Sequence, residues 1–367
     1  MTARRLLVTG GAGFIGANFV HRWCARNPDD RVVVVDALTY AGNRATLRSI
    51  DDNPCFRFVE ADITELTTMR EILHEEAIDT VVHFAAESHV DRSIEGPGEF
   101  VRTNLVGTWT LLEAARGEWI EARPREHRFH HVSTDEVYGS LDADDPAFSE
   151  TTRYEPNSPY AASKAGSDHL VRAYLHTYGL QVTTSNCSNN YGPYQFPEKL
   201  IPLMIVNLLD GKELPVYGDG LNVRDWLHVE DHCAGIERIL ERGQVGETYN
   251  VGGDNEWRNI DLVNLLCRLV DGEFASDAAL ARQFPDCVAA SGGNCADKIR
   301  FVRDRPGHDR RYAIDGSKLR RELVFTASTP FEDGLRATLR WYLGNEDWWR
   351  AILDGSYREW VAKQYQE

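Results

Sequence analysis

The sequence lacks the long apolar runs and basic clusters that mark membrane proteins and nucleic-acid-binding proteins. No apolar stretch in its 367 residues approaches the length needed to span a bilayer. The formal net charge is −17, whereas counterion release from nucleic acid requires clustered Lys and Arg. Glycines at 10, 11, 13 and 16 interrupt the apolar run after Arg4-Arg5, so we expect no signal peptide. We therefore expect no membrane and no nucleic-acid partner, and an anionic ligand must be held by local cations or helix N-termini.

Cysteine is sparse and shows no metal-binding or redox pattern. The seven cysteines are odd in number and include no C-x-x-C spacing. Such usage is typical of reduced thiols in a cytoplasmic protein, so we do not expect a disulfide between Cys287 and Cys295. Internal repeats and low-complexity tracts are also missing, while 42% apolar residues suffice for the core of one large domain or two smaller ones.

The part of the sequence that carries the most information begins with a glycine-rich turn. A short apolar strand, residues 4–8, leads into Gly10, Gly13 and Gly16, which are spaced G-x-x-G-x-x-G before a helical pattern. The first glycine permits a tight turn, the second lets backbone N–H groups approach a pyrophosphate, and the third lets helix pack on strand. Because a glycine pattern alone is weak evidence, the surrounding sequence decides its meaning.

The surrounding sequence favours NAD over NADP. A second strand, residues 31–35, ends at Asp36, whose carboxylate can accept both ribose hydroxyls and would repel a 2′-phosphate. Ala37 and Leu38 follow Asp36 directly, where an Arg would be needed for that phosphate. A third strand, residues 55–60, leads to Asp62 and Ile63, a plausible adenine contact.

The alternation of strands and helices predicts an α/β protein with a doubly wound parallel sheet of the Rossmann type. A fourth strand, residues 80–84, ends at Ala85 and Ala86, where small side chains let a cofactor lie close to the backbone. After about residue 186 the alternation loosens. We expect an NAD-binding domain over residues 1–190, to which residues 225–250 return, and a smaller interleaved substrate-binding domain over residues 191–367.

Two further stretches carry groups for acid–base chemistry. Residues 133–139 (STDEVYG) follow a buried strand, and open α/β sheets bind ligands at the carboxyl ends of their strands. Tyr160 and Lys164 share one face if their segment is a helix, and the ammonium would then lower the pKa of the phenol. One pocket can thus hold Tyr160 as a base, Asp135 as an acid and Glu136 as a second base. The simpler alternative is that the two carboxylates only cap the next helix.

Together these features resemble the extended short-chain dehydrogenase/reductase superfamily, and longer strings resemble its dTDP-glucose 4,6-dehydratase family. The strings are residues 85–91 (AAESHVD), 133–139 (STDEVYG), 186–193 (NCSNNYGP), 196–202 (FPEKLIP), 224–226 (RDW) and 304–309 (DRPGHD). Sugar-nucleotide epimerases share the glycine turn and the Tyr/Lys pair, but typically lack the Asp-Glu pair. That pair is therefore the feature that discriminates between the two activities.

The resemblance implies that dTDP-glucose loses water through transient oxidation at C4 by bound NAD, elimination across C5 and C6, and hydride return to C6. Tyr160 would take the C4 hydroxyl proton with Lys164 in support, and Thr134 would hydrogen-bond the same oxygen. Glu136 would remove the C5 proton and Asp135 would protonate the departing C6 hydroxyl. The alternatives are an NDP-hexose 4-epimerase, a 4,6-dehydratase for another NDP-sugar, and a protein that senses NAD without turnover.

The glycine turn, the strand ends and the resemblance also supply a set of contact residues. Expected cofactor contacts are Gly10, Gly13, Phe14, Ile15, Gly16, Asp36, Leu38, Thr39, Asp62, Ile63, Ala85, Ala86, Ser88, Thr103, Tyr160, Lys164 and Asn190. Expected substrate contacts are Ser88, Thr134, Asn189, Lys199, Leu200, Pro215, Tyr217, Arg224, Asn259, Arg305 and His308. Arg224, Arg305 and His308 would bind the diphosphate, because the planar guanidinium matches phosphate.

The sequence also bears on metal binding, on a long segment before the last strand and on self-association. His127, His130 and His131 suggest a metal cluster, but adjacent strand residues face opposite ways and we expect no metal. Residues 273–297 are longer than the family pattern, and we expect a surface insertion there. The resemblance implies a homodimer built on helices near residues 104–115 and 160–178.

Overall fold

A computed structural model describes residues 3–304 and 308–353. The strands are β1 (Arg5–Thr9), β2 (Arg31–Asp36), β3 (Phe56–Glu60), β4 (Thr80–His83), β5 (Arg128–Thr134), β6 (Val182–Cys187), β7 (Asn189–Tyr191), β8 (Leu214–Tyr217), β9 (Val223–His228), β10 (Thr248–Val251), β11 (Glu256–Arg258) and β12 (Ile299–Val302). The α-helices are α1 (Phe14–Arg26), α2 (Leu66–Glu75), α3 (Val90–Glu95), α4 (Pro97–Phe100), α5 (Thr108–Arg116), α6 (Pro159–Tyr178), α7 (Leu200–Leu209), α8 (Val229–Arg242), α9 (Asn259–Ser276), α10 (Leu280–Gln283), α11 (Ser317–Leu323), α12 (Phe331–Gly344) and α13 (Glu346–Ile352). Wider π-helical turns, Val101–Gly107 and Gly117–Ala122, flank α5, and 3-10 turns cover Arg44–Ile50, Asp135–Tyr138, Val288–Ser291 and Cys295–Lys298.

Seven strands form the large sheet, in the order β3-β2-β1-β4-β5-β6-β10, and every neighbouring pair is parallel. Apolar runs such as Val32 to Val35 are buried along their whole length because helices cover both faces of the sheet. One face packs against α2, α5 and α6, and the other packs against α1 and α8. The predicted α/β fold with a doubly wound parallel sheet is confirmed.

The direction of winding reverses between β1 and β4, which are neighbours in the sheet. From β1 the chain proceeds outward through β2 and β3, and then it crosses back to β4, β5 and β6. The connections that leave the carboxyl ends of β1 and β4 therefore diverge. Such a switch point leaves a crevice in which open α/β sheets bind their ligands.

The chain leaves the large sheet after β6 and returns to it through α8 and β10. Side chains of α8, among them Cys233 and Ile236, pack against α1, and β10 pairs with β6. We expected the strand that includes Leu227 to return as well, but β9 lies in a three-stranded sheet between β11 and β7. The domain limits at residues 190 and 225–250 stay predictions.

A second apolar core lies outside the large sheet and is built by α7, α9, α12 and α13. The expectation that residues 273–297 form a surface insertion is wrong, because Leu280, Phe284, Cys287 and Cys295 are buried in this core. The thiols of Cys287 and Cys295 are hydrogen-bonded to each other, and all seven cysteines are free. Within the described ranges, no helix combines the length and the apolar character that crossing a membrane requires.

Candidate active site

A single cleft crosses the carboxyl ends of the parallel strands and continues to β8, Arg224 and His308. All of the predicted cofactor and substrate residues line this cleft except Leu38 and Arg305. Leu38 does not line the cleft, but its backbone N–H donates to Asp36 Oδ1 at 2.9 Å and so helps to hold that carboxylate in place. Arg305 lies outside the described residues. Residues that are far apart in sequence, from Gly10 to His308, therefore share one concave surface.

The glycine turn has the shape that a pyrophosphate site requires. Gly10 has a φ of +70°, and a Cβ on it would lie 2.6 Å from the backbone nitrogen of Ala85. A Cβ on Gly16 would overlap the carbonyl oxygen of Gly10. Helix α1 begins directly after Gly13 with no side-chain cap, so its first N–H groups face the cleft as an anion site.

The substitution Gly16→Ala is expected to raise the NAD dissociation constant about 10- to 100-fold, because the added methyl group pushes the Gly10 carbonyl out of place. Titration of the NAD-free protein by calorimetry measures this. The control is Gly272→Ala on α9, where a Cβ meets nothing within 4 Å. Equal affinity of Gly16→Ala and the wild type would show that the turn does not hold the pyrophosphate.

Asp36 is fixed at the end of β2 by two backbone N–H groups. Its Oδ2 accepts from Ala12 at 2.9 Å and its Oδ1 accepts from Leu38 at 2.9 Å. Burial raises its pKa, and these two hydrogen bonds oppose that rise. Each carboxylate oxygen still has a second lone pair, so the two oxygens retain acceptor capacity for ribose hydroxyls at the cleft.

The segment after β5 presents the predicted acid–base groups. Thr134 caps the 3-10 turn Asp135–Tyr138, and its hydroxyl accepts from the N–H of Glu136 at 3.3 Å. Capping is thus done by Thr134, and the two carboxylates line the cleft. Asp135 is 2% exposed, and its Oδ2 has no hydrogen-bond partner among the described residues. Burial, followed by the charges of Glu136 and Asp225, raises the pKa of Asp135 well above its usual range, which favours a protonated acid.

Tyr160 and Lys164 lie on one face of α6, which begins with a Ser158 cap. The Lys164 ammonium donates to the carbonyl oxygen of Val132 at 2.8 Å. We expected Lys164 to lower the pKa of Tyr160, but burial, and then the charge of Glu136, raises it in this cleft. The nearby hydroxyl of Thr134 opposes that rise in the pKa of Tyr160.

Comparison with known proteins identifies the family of this chain. A family model described as GDP-mannose 4,6 dehydratase matches residues 7–338. The dTDP-glucose 4,6-dehydratase of Neisseria meningitidis serogroup B is 54% identical over 358 residues, which cover 97% of this chain and 98% of the relative. The dTDP-glucose 4,6-dehydratase 1 of Escherichia coli strain K12 is 49% identical over 373 residues, which cover 99% of each. The chain belongs to the dTDP-glucose 4,6-dehydratase family.

Solved structures of dehydratases and epimerases share this fold. DesIV, a dTDP-glucose 4,6-dehydratase from Streptomyces venezuelae with NAD bound, has a TM-score of 0.83 and 48% identity over 95% of this chain and 99% of DesIV. The UDP-glucose 4-epimerase of Thermotoga maritima has a TM-score of 0.78 and 25% identity over 93% of this chain and 99% of that chain. Since the fold is common to both activities, the side chains in the cleft must distinguish a dehydratase from an epimerase.

Hydrogen bonds between segments that are far apart in sequence fix the part of the cleft where the substrate contacts are expected. Lys199 Nζ donates to the carbonyl oxygen of Ser88 at 2.8 Å, which joins the start of α7 to the loop after β4. A guanidinium nitrogen of Arg224 donates to the carbonyl oxygen of Asp309 at 2.9 Å, and the group stacks 4.3 Å from the ring centroid of Tyr312. The Arg224 guanidinium is thus held in place at the lining of the cleft by other protein groups.

Sequence reasoning missed an ionisable group on the wall of the dehydratase cleft. Glu198 is 4% exposed, and burial raises its pKa to about 7. Its Oε2 lies 3.4 Å from Arg92 Nε and 3.9 Å from His89 Nε2. A charged residue inside the apolar string at 196–202 was the available signal, because charged residues are rarely buried without partners.

The neighbouring histidines have separate protein partners. His130 contacts the hydroxyls of Thr183 and Ser185 at 3.0 and 3.1 Å. His131 Nε2 lies 3.1 Å from the carboxylate of Asp168. Since the two rings bond to different elements, β6 for His130 and α6 for His131, they do not converge on a shared ligand position.

Proposed function

We propose that this chain removes water from dTDP-glucose to give dTDP-4-keto-6-deoxyglucose. The observation that carries the proposal is the buried carboxyl of Asp135 beside Glu136, in the same cleft as Tyr160 and the glycine turn. An oxidation that only inverts C4 needs no acid and base at C5 and C6. The family membership of the chain supports the same assignment.

The residues present fit NAD, because the uncapped start of α1 suits a pyrophosphate and Asp36 suits a ribose diol. Bound NAD supplies a reversible hydride acceptor. Tyr160, as the phenolate, then takes the proton of the C4 hydroxyl, and the nearby Thr134 hydroxyl favours that phenolate against the effect of burial. Oxidation at C4 acidifies the C5 hydrogen, which Glu136 removes. Asp135, kept protonated by burial, gives its proton to the C6 hydroxyl as water departs. Return of the hydride to C6, with Glu136 giving its proton back to C5, then completes the 4-keto-6-deoxy product.

Mass spectrometry of the sugar nucleotide tests this function. Purified protein is incubated with dTDP-glucose, first without added cofactor and then with NAD. Loss of one water is expected, and its appearance without added cofactor would also show that NAD co-purifies. The UDP-, GDP- and CDP-hexoses serve as matched substrates that test the choice of base.

A 4-epimerase is the second candidate, because the epimerase fold superposes on nearly the whole chain. Epimerisation leaves the mass unchanged and alters only the sugar stereochemistry, which NMR of the product detects. An epimerised product with no loss of water would overturn the dehydratase proposal. Absence of any product with all four nucleotides would leave NAD binding without turnover as the function.

We also propose that two copies pair through the helical face around α5 and α6. Four large apolar side chains are exposed there: Val101 at 49%, Val106 at 40%, Trp109 at 43% and Tyr178 at 44%. Apolar clusters of this size on a water-facing helix surface mark protein interfaces. The reduced state of all seven cysteines fits the reducing cytosol as the compartment of this dimer.

The substitution Trp109→Asp is expected to convert the dimer to a monomer, since it places a charge at the centre of the apolar face. Light scattering coupled to size exclusion reports the mass. The control is Val324→Asp, which changes a residue that is 78% exposed and adopts the left-handed conformation that Asp tolerates. A wild-type protein of monomer mass would remove this proposal.

A further inference from the structure

A buried carboxylate outside the predicted set connects the two halves of the catalytic machinery. Asp168 lies on α6, four residues after Lys164 and therefore on the same face of the helix. It is 6% exposed and does not line the cleft. A charged group that is buried without touching a ligand requires partners in the protein.

One oxygen of Asp168 holds the segment that carries the acid–base groups. The hydroxyls of Ser133 and Tyr154 both donate to its Oδ2, each at 2.9 Å. Ser133 directly precedes Thr134 on β5, while Asp168 shares its helix with Tyr160. The carboxylate thus fixes the turn that bears Asp135 relative to the helix that bears the Tyr/Lys pair.

The other oxygen faces a neutral histidine. Oδ1 lies 3.1 Å from His131 Nε2. Burial, and then the charge of Lys164, lowers the pKa of His131 well below its usual range, so the ring is neutral. Ser167 donates its hydroxyl hydrogen to the Lys164 carbonyl at 2.7 Å, so its oxygen is the acceptor 3.2 Å from Nε2. This network assigns the ring proton to Nε2, which donates to the Ser167 oxygen, while Asp168 Oδ1 lies close by and accepts no hydrogen bond from the described residues.

Asp168 also lies one helical turn after Lys164 on α6, close enough for its negative charge to act on the Lys164 ammonium. Burial lowers the pKa of Lys164, and the charge of Asp168 opposes that change more than any other group. Burial raises the pKa of Asp168 to about 6, so it is ionised at neutral pH. The other titratable groups that interact with this pair are His83, His131, Tyr138, Tyr154, His169 and Cys187. Of these, the imidazoles of His83 and His131 are neutral at neutral pH and the pKa of Cys187 is raised to about 12, so none of the three supplies a negative charge.

We propose that Asp168 is a positioning residue for C4 oxidation, which keeps Lys164 charged and holds the Ser133–Asp135 segment in register with Tyr160. The proposal rests on the proposed dehydratase function, because C4 oxidation is the step that Lys164 supports. It also makes a prediction for NAD binding alone, which needs no sugar nucleotide.

The test replaces Asp168 by the isosteric Asn and follows the oxidation step by itself. In a Glu136→Gln background the elimination is blocked, so the absorbance of reduced nicotinamide reports C4 oxidation alone. We expect Asp168→Asn to slow this step about 10- to 100-fold, with KM within about twofold, because an acid–base step is weakened without loss of a substrate contact. The alkaline limb of the rate profile should move about 1 to 3 pH units lower, because Lys164 loses an opposite charge.

A second variant keeps the test decisive if Asp168→Asn does not fold. Tyr154→Phe retains the carboxylate but removes one hydrogen bond that lowers the pKa of Asp168. Its acid limb should therefore move to higher pH, while its alkaline limb stays in place. If both variants fold and the acid and alkaline limbs of their pH–rate profiles match those of the wild type, the role of Asp168 is overturned. The dehydratase function stands in that case, provided that the wild type forms the keto sugar.

Measurement of NAD affinity against pH distinguishes failure of the proposed reaction from failure of the proposed role of Asp168. Without sugar nucleotide, the affinity of Asp168→Asn should fall at a lower pH than that of the wild type, since Lys164 lines the cofactor end of the cleft. A wild type that makes no keto sugar but shows this difference would overturn the proposed reaction and retain Asp168 as the counter-charge. Identical pH profiles for the two proteins would overturn the counter-charge itself.

Discussion

Replacement of Tyr160 by phenylalanine is expected to lower kcat about 10²- to 10⁴-fold, since a positioned base contributes that much to a proton transfer. The ring of Tyr160 is buried and meets Phe100 edge-on at 6.3 Å between centroids. Phenylalanine preserves this packing and removes only the phenol oxygen. The loss should therefore fall on chemistry and leave stability nearly unchanged.

The point at which the Tyr160→Phe reaction stops is as informative as its rate. Because the C4 hydroxyl loses its proton only slowly without this base, reduced nicotinamide should form in a single turnover with dTDP-glucose about 10²- to 10⁴-fold more slowly than in the wild type. Tyr174→Phe is the matched control, since it removes a phenol oxygen from the same helix at a position that does not line the cleft. Rapid formation of reduced nicotinamide in Tyr160→Phe would assign the base to another group.

Replacement of Asp135 by asparagine is expected to lower kcat by a similar factor, about 10²- to 10⁴-fold, but to stop the reaction later. C4 oxidation proceeds, so reduced nicotinamide accumulates with bound sugar nucleotide. Glu136 still removes the C5 proton, so in D₂O the recovered substrate should carry deuterium at C5. Glu136→Gln should also accumulate reduced nicotinamide, but without deuterium at C5.

The pH dependence of these variants follows from the raised pKa of Asp135. Burial, together with the charge of Glu136, favours the protonated acid, so the elimination step should weaken as pH rises through that pKa. The amide introduced by Asp135→Asn has no acidic proton to lose, so this decline with pH should be missing from the slow residual elimination of the variant. Elimination that falls with pH equally in both proteins would show that another group donates the proton.

Much of the cleft could be predicted because its residues follow from one geometric rule. The carboxyl ends of parallel strands meet at one edge of a sheet, so Gly10, Asp36, Ala85 and Asp135 had to be neighbours once their strands were recognised. The periodicity of a helix placed Tyr160 and Lys164 on a common face in the same way. Neither inference requires knowledge of the loops between the elements.

The errors arose where partners far apart in sequence decide the outcome. The sequence after Leu227 predicts a strand that returns to the cofactor domain, but local sequence does not say which sheet a strand joins, and β9 pairs with β11 and β7. Residues 273–297 include many polar side chains, yet Phe284 and Cys295 pack into a core formed with α9 and α12. Asp168 was overlooked because a carboxylate in a helix usually faces water; its spacing of four from Lys164 was the available signal.

The seventh strand has a consequence for synthesis on the ribosome. β6 ends at Cys187, but its outer neighbour β10 begins only at Thr248. At about 5–20 residues per second, the emerging chain carries an open edge for several seconds. The unpaired N–H and C=O groups of such an edge readily bind other extended chains. A fragment that stops near residue 190 is therefore expected to aggregate more readily than the full chain, in which β10 covers this edge.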